Sequence, residues 1–276
     1  MTDPHVVVGV DGSLVAVRAL DWAAEEAVRR GTALRIVYAV PCRDEAGPVL
    51  ASAAARVHQR HPGLTVESGA VERGAVEALA AESVEAALTV VGTRGLGSVT
   101  GLVAGSVSWR VAARVRGPLA IVRGDPARGR NREVLLGLES DADDAATAYA
   151  FQEAVRRKAR LRVVRSSTHR HTAPELPSPV TATSRGRERQ PRNDRVEEAV
   201  PLFSVARLRE KYPEVRVDSR TVHRGPAHAL LSGTRHADVV VIGTRQRAIR
   251  LGPPLGPVAQ TLSQHARCPV VLVPTS

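Results

Sequence analysis

The chain uses one pattern twice. Val71-Glu72-Arg73-Gly74, Val90-Val91-Gly92-Thr93-Arg94 and Arg116-Gly117-Pro118 return as Val222-His223-Arg224-Gly225, Val241-Ile242-Gly243-Thr244-Arg245 and Arg267-Cys268-Pro269. The spacing is constant, since 222−71, 243−92 and 269−118 each give 151. The N-terminal ends also match, with Val8-Gly9-Val10-Asp11-Gly12-Ser13 resembling Leu136-Gly137-Leu138-Glu139-Ser140-Asp141. Three separated matches at one offset mean a tandem duplication of a domain. Solenoid units run roughly 20–50 residues, far less than this period, so a stacked-repeat array is excluded. The expected division is residues 1–126 and 132–276, each half long enough to bury its own core.

Hydrophobic residues make up 43% of the chain and aromatics only 3%. The cores must therefore be built from Val, Leu, Ala and Ile, the composition of parallel sheets covered by helices. His5 to Val10 is a continuous apolar run closed by Asp11-Gly12-Ser13, which suits a strand buried on both faces. Leu14, Val17, Leu20, Ala24, Ala27 and Val28 then recur at helical spacing up to Gly31, with Ser13 placed to cap the start. Strands at 34–40, 64–71, 87–91 and 119–122 alternate with helices at 49–60, at 74–84 and after Gly105. The second half repeats the order: strands at 134–138, 161–165, 215–222, 238–242 and 270–273, helices at 142–157, 196–211, 226–234 and 257–265. Strand and helix in alternation predict an α/β fold, two tandem Rossmann-like, doubly wound domains.

The net charge of +11 invites a nucleic-acid partner. The cations are almost all Arg, however, with Lys only at 158 and 211, and they lie along the whole chain among Asp and Glu. That distribution points away from a nucleic-acid face. One concentration stands out at residues 168–195, with six Arg, three acidic residues and four Pro. Such a stretch cannot form a core and is expected to be a polar, mobile insertion. Cys42 and Cys268 lie in different halves and offer neither a disulfide framework nor a metal spacing. The histidines form no metal-ligand grouping. No run of 18 or more apolar residues and no signal-like N-terminus is present, so a cytoplasmic protein without a membrane span is expected.

In open α/β sheets, ligands sit beyond the carboxyl ends of the strands where the strand order reverses. Two first-half segments fall there: Asp11-Gly12-Ser13 after the first strand and Gly92-Thr93-Arg94-Gly95 after the fourth, followed by Gly105-Ser106 at a helix start. Glycines admit a phosphate close to the backbone, and the first helical turn presents unpaired N–H groups to an anion. Arg94 adds a fixed positive charge and Ser106 a hydroxyl. Neither a Walker motif nor Gly-x-Gly-x-x-Gly is present. By spacing alone the loop reads more readily as a flexible turn.

Gly92-x-x-Gly95, nine residues, then Gly105-Ser106, after an opening Val8-Gly9-Val10-Asp11-Gly12-Ser13, closely resembles the ATP-binding pattern of the universal stress protein family in its tandem form. The resemblance implies a five-stranded parallel sheet in the order 3-2-1-4-5 in each half. It implies ATP, with or without Mg, in the first half. Asp11 and the backbone at Val40 would hold the adenosine part. Gly92, Arg94 and Gly95 would lie near the ribose and phosphates, Gly105, Ser106 and Val107 would cradle the phosphates, and Gly9, Gly12, Ser13, Thr93, Gly97 and Ser98 would belong to the same site. It further implies that ATP is sensed rather than rapidly hydrolysed, so the chain is not expected to be an enzyme beyond slow ATPase activity. Its output would be regulation of an unidentified protein partner under stress or dormancy. The alternative is a ligand-free interaction scaffold with a vestigial cradle.

The second half departs from the pattern. Asp11 becomes Glu139, Gly95 becomes Gln246, and Ser106 becomes Pro257, which lacks both the hydroxyl and an N–H. Loss of nucleotide from this half is expected. In this family the fifth strand commonly joins domain to domain, so 119–122 and 270–273 are expected to form an internal interface, with a homodimer also open.

Overall fold

A computed structural model describes residues 4–40, 46–93, 106–123, 131–140, 143–166, 196–198, 203–223, 225–245 and 255–275. The first half runs β1 (His5–Gly9), α1 (Leu14–Arg30), β2 (Leu34–Ala39), α2 (Gly47–Arg60), β3 (Val66–Val71), α3 (Ala75–Glu82), β4 (Ala86–Gly92), α4 (Ser106–Ala112) and β5 (Leu119–Val122). The second runs β6 (Glu133–Leu138), α5 (Asp144–Arg157), β7 (Arg160–Ser166), β8 (Val196–Glu198), α6 (Phe203–Lys211), β9 (Val217–Val222), α7 (Pro226–Gly233), β10 (Val239–Arg245), α8 (Pro257–His265) and β11 (Val270–Thr275).

All eleven strands form one sheet in the order β3-β2-β1-β4-β5-β11-β10-β6-β7-β9-β8. Each half thus contains the expected parallel order 3-2-1-4-5, and β5 meets β11 antiparallel with Leu119 opposite Leu272 and Ile121 opposite Val270. The two fifth strands are exposed edges until they pair. Joining them leaves one continuous sheet with no apolar edge at its centre.

One expectation fails at 196–211. A single helix was expected there, but Val196–Glu198 is a short strand lying antiparallel on β9, and the helix begins at Phe203. Pro201 explains the break, because it cannot donate the helical hydrogen bond and clashes with the preceding turn. The insertion 168–195 lies outside the described residues.

The sheet separates two cores, each running through both halves. Val6 and Val8 face one core with α1, α2, α5 and α6, while Val7 faces the other with α3, α4, α7 and α8. That alternation is the two-residue period of a strand. Ser13 caps α1, its hydroxyl accepting from the Ala16 N–H at 3.2 Å. Gly31 ends the helix in the left-handed region at φ 64°. The buried face of α1 includes Ala16, Ala19, Ala23, Ala24 and Ala27, small residues that let the helix lie close on the sheet, together with Leu20 and Trp22. Leu14 and Val28, read from the sequence as part of that stripe, are exposed. Cys268 is buried, and desolvation pushes its thiol up to about 12, so it is inert to thiolate chemistry at neutral pH. Cys42 lies outside the described residues. No described helix is long and apolar enough to cross a membrane.

A buried ionic cluster joins the halves on the α1–α5 side. Arg30 donates to Glu153 and Arg157 to Glu26, with all four side chains at most 6% exposed. The Arg30 guanidinium lies 5.5 Å from the Tyr149 ring centre, and that of Arg157 lies 5.9 Å from Trp22. Trp22, Glu26 and Arg30 correspond to Tyr149, Glu153 and Arg157 at a constant offset of 127, so the cluster has the pseudo-twofold symmetry of the duplication. The peptide Glu-Ala-Val-Arg-Arg occurs at 26–30 and again at 153–157. That identical repeat was the available signal.

Candidate functional site

At the carboxyl edge of the first-half sheet, β1 ends at Gly9 and the chain turns through Asp11-Gly12-Ser13 into α1. The Asp11 carboxylate accepts from the Ser13 N–H at 3.0 Å and from the Ser13 hydroxyl at 2.5 Å. Gly12 takes φ 77°, a left-handed turn that a side chain would strain. These contacts fix the loop and leave the Asp11 side chain exposed at the edge. Gly9 has a packing role as well, since a Cβ there would lie 3.0 Å from Leu79 of α3. Val40, just after β2, is buried and donates its N–H to the Val71 carbonyl at 3.1 Å.

Gly92 closes β4 directly against α1. A Cβ at this position would fall 2.9 Å from the Val15 carbonyl oxygen, so backbone packing alone demands glycine. Thr93 is buried, its N–H donating to the Val122 carbonyl at 3.0 Å. Ser108 in α4 donates its hydroxyl to the Gly92 carbonyl at 3.0 Å, tying the start of that helix to the end of β4. Ser106 opens the same helix, and Val107 is exposed in its first turn. The structure therefore gathers Gly9, Asp11, Gly12, Ser13, Gly92, Thr93 and the N-terminal turn of α4 at one edge. Arg94, Gly95, Gly97, Ser98 and Gly105 lie outside the described residues.

Two residues of this edge were not singled out from sequence. Ser108 is one; its counterpart at offset 151 is Ala259, which cannot make the bond. Arg123 is the other. It follows β5 beside Thr93, burial holds its pKa below the ordinary arginine value, and its counterpart is Pro274. A guanidinium depressed only by desolvation sits where an anion would relieve it.

The equivalent edge of the second half is built differently. Asp143 occupies the position of Val15, its carboxylate standing so close to Gly243 that a Cβ there would lie 2.6 Å from Oδ1. Its Oδ2 accepts from the N–H groups of Glu139 at 3.0 Å and Ser140 at 3.3 Å. The backbone donors after β6 are thus already used by a buried carboxylate. Helix α8 begins with Pro257, which offers no N–H. Among the described residues, a buried carboxylate takes these backbone donors and the helix start lacks its first N–H.

Comparison with known proteins agrees with the architecture. The sequence model of the Universal stress protein family matches residues 4–123 and again 130–274. A universal stress protein of Mycolicibacterium smegmatis is 30% identical over 296 residues, covering 99% of this chain and 97% of its own. One from Mycobacterium tuberculosis H37Rv is 29% identical over 295 residues, covering 97% and 96%. Among solved structures, a universal stress protein from Archaeoglobus fulgidus matches over 100% of both chains with a TM-score of 0.64 at 13% identity, a likeness of fold.

Proposed function

The chain belongs to the universal stress protein family, and from that premise we propose that its first half binds ATP at the carboxyl edge of β1 and β4 while its second half does not. The observation that carries the reading is the contrast between the two copies. Val15 stands against Gly92 where Asp143 stands against Gly243, and Ser108 and Arg123 in the first half correspond to Ala259 and Pro274 in the second. The first edge adds a hydroxyl and a guanidinium to its exposed Asp11, while the second lacks both and carries a buried carboxylate against β10.

In this account Asp11 accepts hydrogen bonds from the nucleoside, and a nucleobase near β2 meets the Val40 carbonyl, the N–H being given to Val71. Gly12 supplies the left-handed turn that presents Asp11, and Gly92 lets the end of β4 lie against α1 beneath the cradle. Thr93, Arg94, Gly95, Gly97, Ser98, Gly105, Ser106 and Val107 complete the cradle along the family motif, and Arg123 adds positive charge. Mg enters as the counterion that ATP itself carries. Binding and sensing, with at most slow hydrolysis, supply the output, which is altered association with a protein partner. Leu14 and Val107, exposed at the first turns of α1 and α4, place apolar surface next to the bound nucleotide.

The test is chemical. Protein purified rapidly from cells without added nucleotide is denatured and its ligand identified by mass spectrometry. ATP near one equivalent per chain is expected. An absence of nucleotide would instead favour the scaffold reading.

A further inference from the structure

We propose that the second half carries a separate site for a small phosphorylated anion at the opposite, amino edge of the sheet. A cavity of about 580 Å³ opens there where β6, β7 and β9 begin, within the size range of small-molecule sites. Ala154, Val155, Ala159 and Val215 form its apolar wall, and Arg132, Lys158, Arg160 and Arg216 supply the cations. Backbone pairing holds three of these side by side. The Arg160 N–H donates to the Arg132 carbonyl at 2.9 Å, and the Leu161 N–H to the Arg216 carbonyl at 2.9 Å.

The cations are peculiar to this copy. At the matching places the first half has Pro4, Gly31, Ala33 and Thr65. Four positions differ by carrying Arg or Lys, and all four line one cavity. Conformation supplies a second observation. Arg132 at φ 50° and Lys158 at φ 49° are the non-glycine residues of positive φ among the described residues, and both line this cavity. Lys158 replaces Gly31, a residue that takes the helix-ending turn without strain. Strained cations kept at a cavity rim point to a role beyond packing.

The charges select the ligand. Arg160 is paired with buried Glu133, which also holds Arg162. Arg132, Lys158 and Arg216 have no carboxylate partner among the described residues, and Glu214 is the acidic residue lining the cavity. Guanidinium groups match phosphate oxygens in a fork, and lysine adds a point charge. A compact phosphate or pyrophosphate group on a small organic body fits three unpaired cations beside an apolar wall. The inference does not rest on the reading of the first-half edge.

The probe is inorganic pyrophosphate, titrated calorimetrically into the full chain carrying Gly95→Gln and Ser106→Pro to disable the first-half motif. One saturable site is expected. Adding Lys158→Gly and Arg216→Thr, the first half's own residues, should weaken it at least about tenfold, the loss of one or more charge-assisted bonds. Thermal stability should hold or rise, because glycine suits the left-handed turn. Arg132→Ala serves as a second variant with the same expected loss of affinity. A phosphomonoester such as ribose 5-phosphate, run in parallel, separates an organic from an inorganic ligand. No saturable pyrophosphate binding, equal affinity in the variants, or binding of duplex DNA but not pyrophosphate would each overturn the proposal.

Discussion

Arg157 of α5 donates a hydrogen bond to Glu26 of α1, crossing between the two halves. Arg30 and Glu153 make the same bond in the opposite sense. Glu153 uses both oxygens, accepting also from Arg156 at 3.1 Å and Arg157 at 3.0 Å, whereas Oε2 of Glu26 has no hydrogen-bond partner among the described residues. The duplication therefore placed two charges of each sign in a desolvated interface, where bonds between the halves add to pairs within each half, Arg29 with Glu26 and Arg157 with Glu153.

Breaking this cluster one side at a time should be costly. Arg157→Ala leaves buried carboxylates short of their counterion, and such losses run about 3–5 kcal/mol. Replacing Glu26, Arg30, Glu153 and Arg157 together with Leu and Met of similar volume should cost far less or nothing. Urea denaturation of both variants measures the difference. Equal losses would mean the cluster contributes net stability rather than specifying how the halves meet.

The cluster also predicts a pH dependence. Burial alone would raise the Glu153 pKa, but Arg30, Arg157 and Arg156 outweigh it and hold the carboxyl below its ordinary 4.5. A depressed acid stabilises the fold above its unfolded pKa, and that contribution is lost as pH falls through the folded value. The melting-temperature deficit of Glu153→Gln should thus be full at pH 7 and shrink below pH 4.5. A deficit that stays constant down to pH 3 would show that Glu153 acts by packing.

The end of β4 should tolerate no side chain. Gly92→Ala drives a methyl against the Val15 backbone and should cost about 1–3 kcal/mol, as overpacking does. Ser108→Ala loses the bond to the Gly92 carbonyl, about 1 kcal/mol, and should also weaken ATP by loosening the start of α4. Thermal melts with and without ATP separate the two effects. A Ser108→Ala variant with unchanged affinity would confine that serine to stability.

Most of the fold was legible because its determinants are local or repeat-encoded. The alternation of strands and helices and the Ser13 cap follow from apolar runs and a capping residue, whereas the strand order and the pairing of β5 with β11 were legible through the family resemblance. What escaped depends on partners distant in sequence. Ser108 matters only because Gly92 is 3.0 Å away, and Asp143 only because it stands against Gly243. The reading of 196–211 as one helix followed apolar spacing through Pro201, where backbone chemistry should have taken precedence. The Glu-Ala-Val-Arg-Arg repeat was visible, but its offset of 127 differs from the 151 of the later matches, because the insertion lies between them.

That insertion gives a further prediction. Between β7, ending at Ser166, and β8, beginning at Val196, the sequence is polar and Pro-broken. Replacing 168–195 with a short Gly/Ser linker should leave the melting temperature and ATP affinity unchanged. Its six Arg are also the strongest local cation concentration for an acidic partner. A large fall in melting temperature would mean the segment packs on the core, and salt-dependent DNA binding that survives the deletion would place any such surface elsewhere.

The central claim is that one copy of the duplicated edge kept its nucleotide and the other closed. Calorimetric titration of ATP into the full chain tests it most directly, read as a stoichiometry. One site per chain is expected, abolished by Gly95→Gln with Ser106→Pro and unaffected by Asp143→Ala. A stoichiometry near two, or binding that survives the first-half double variant, would contradict the account.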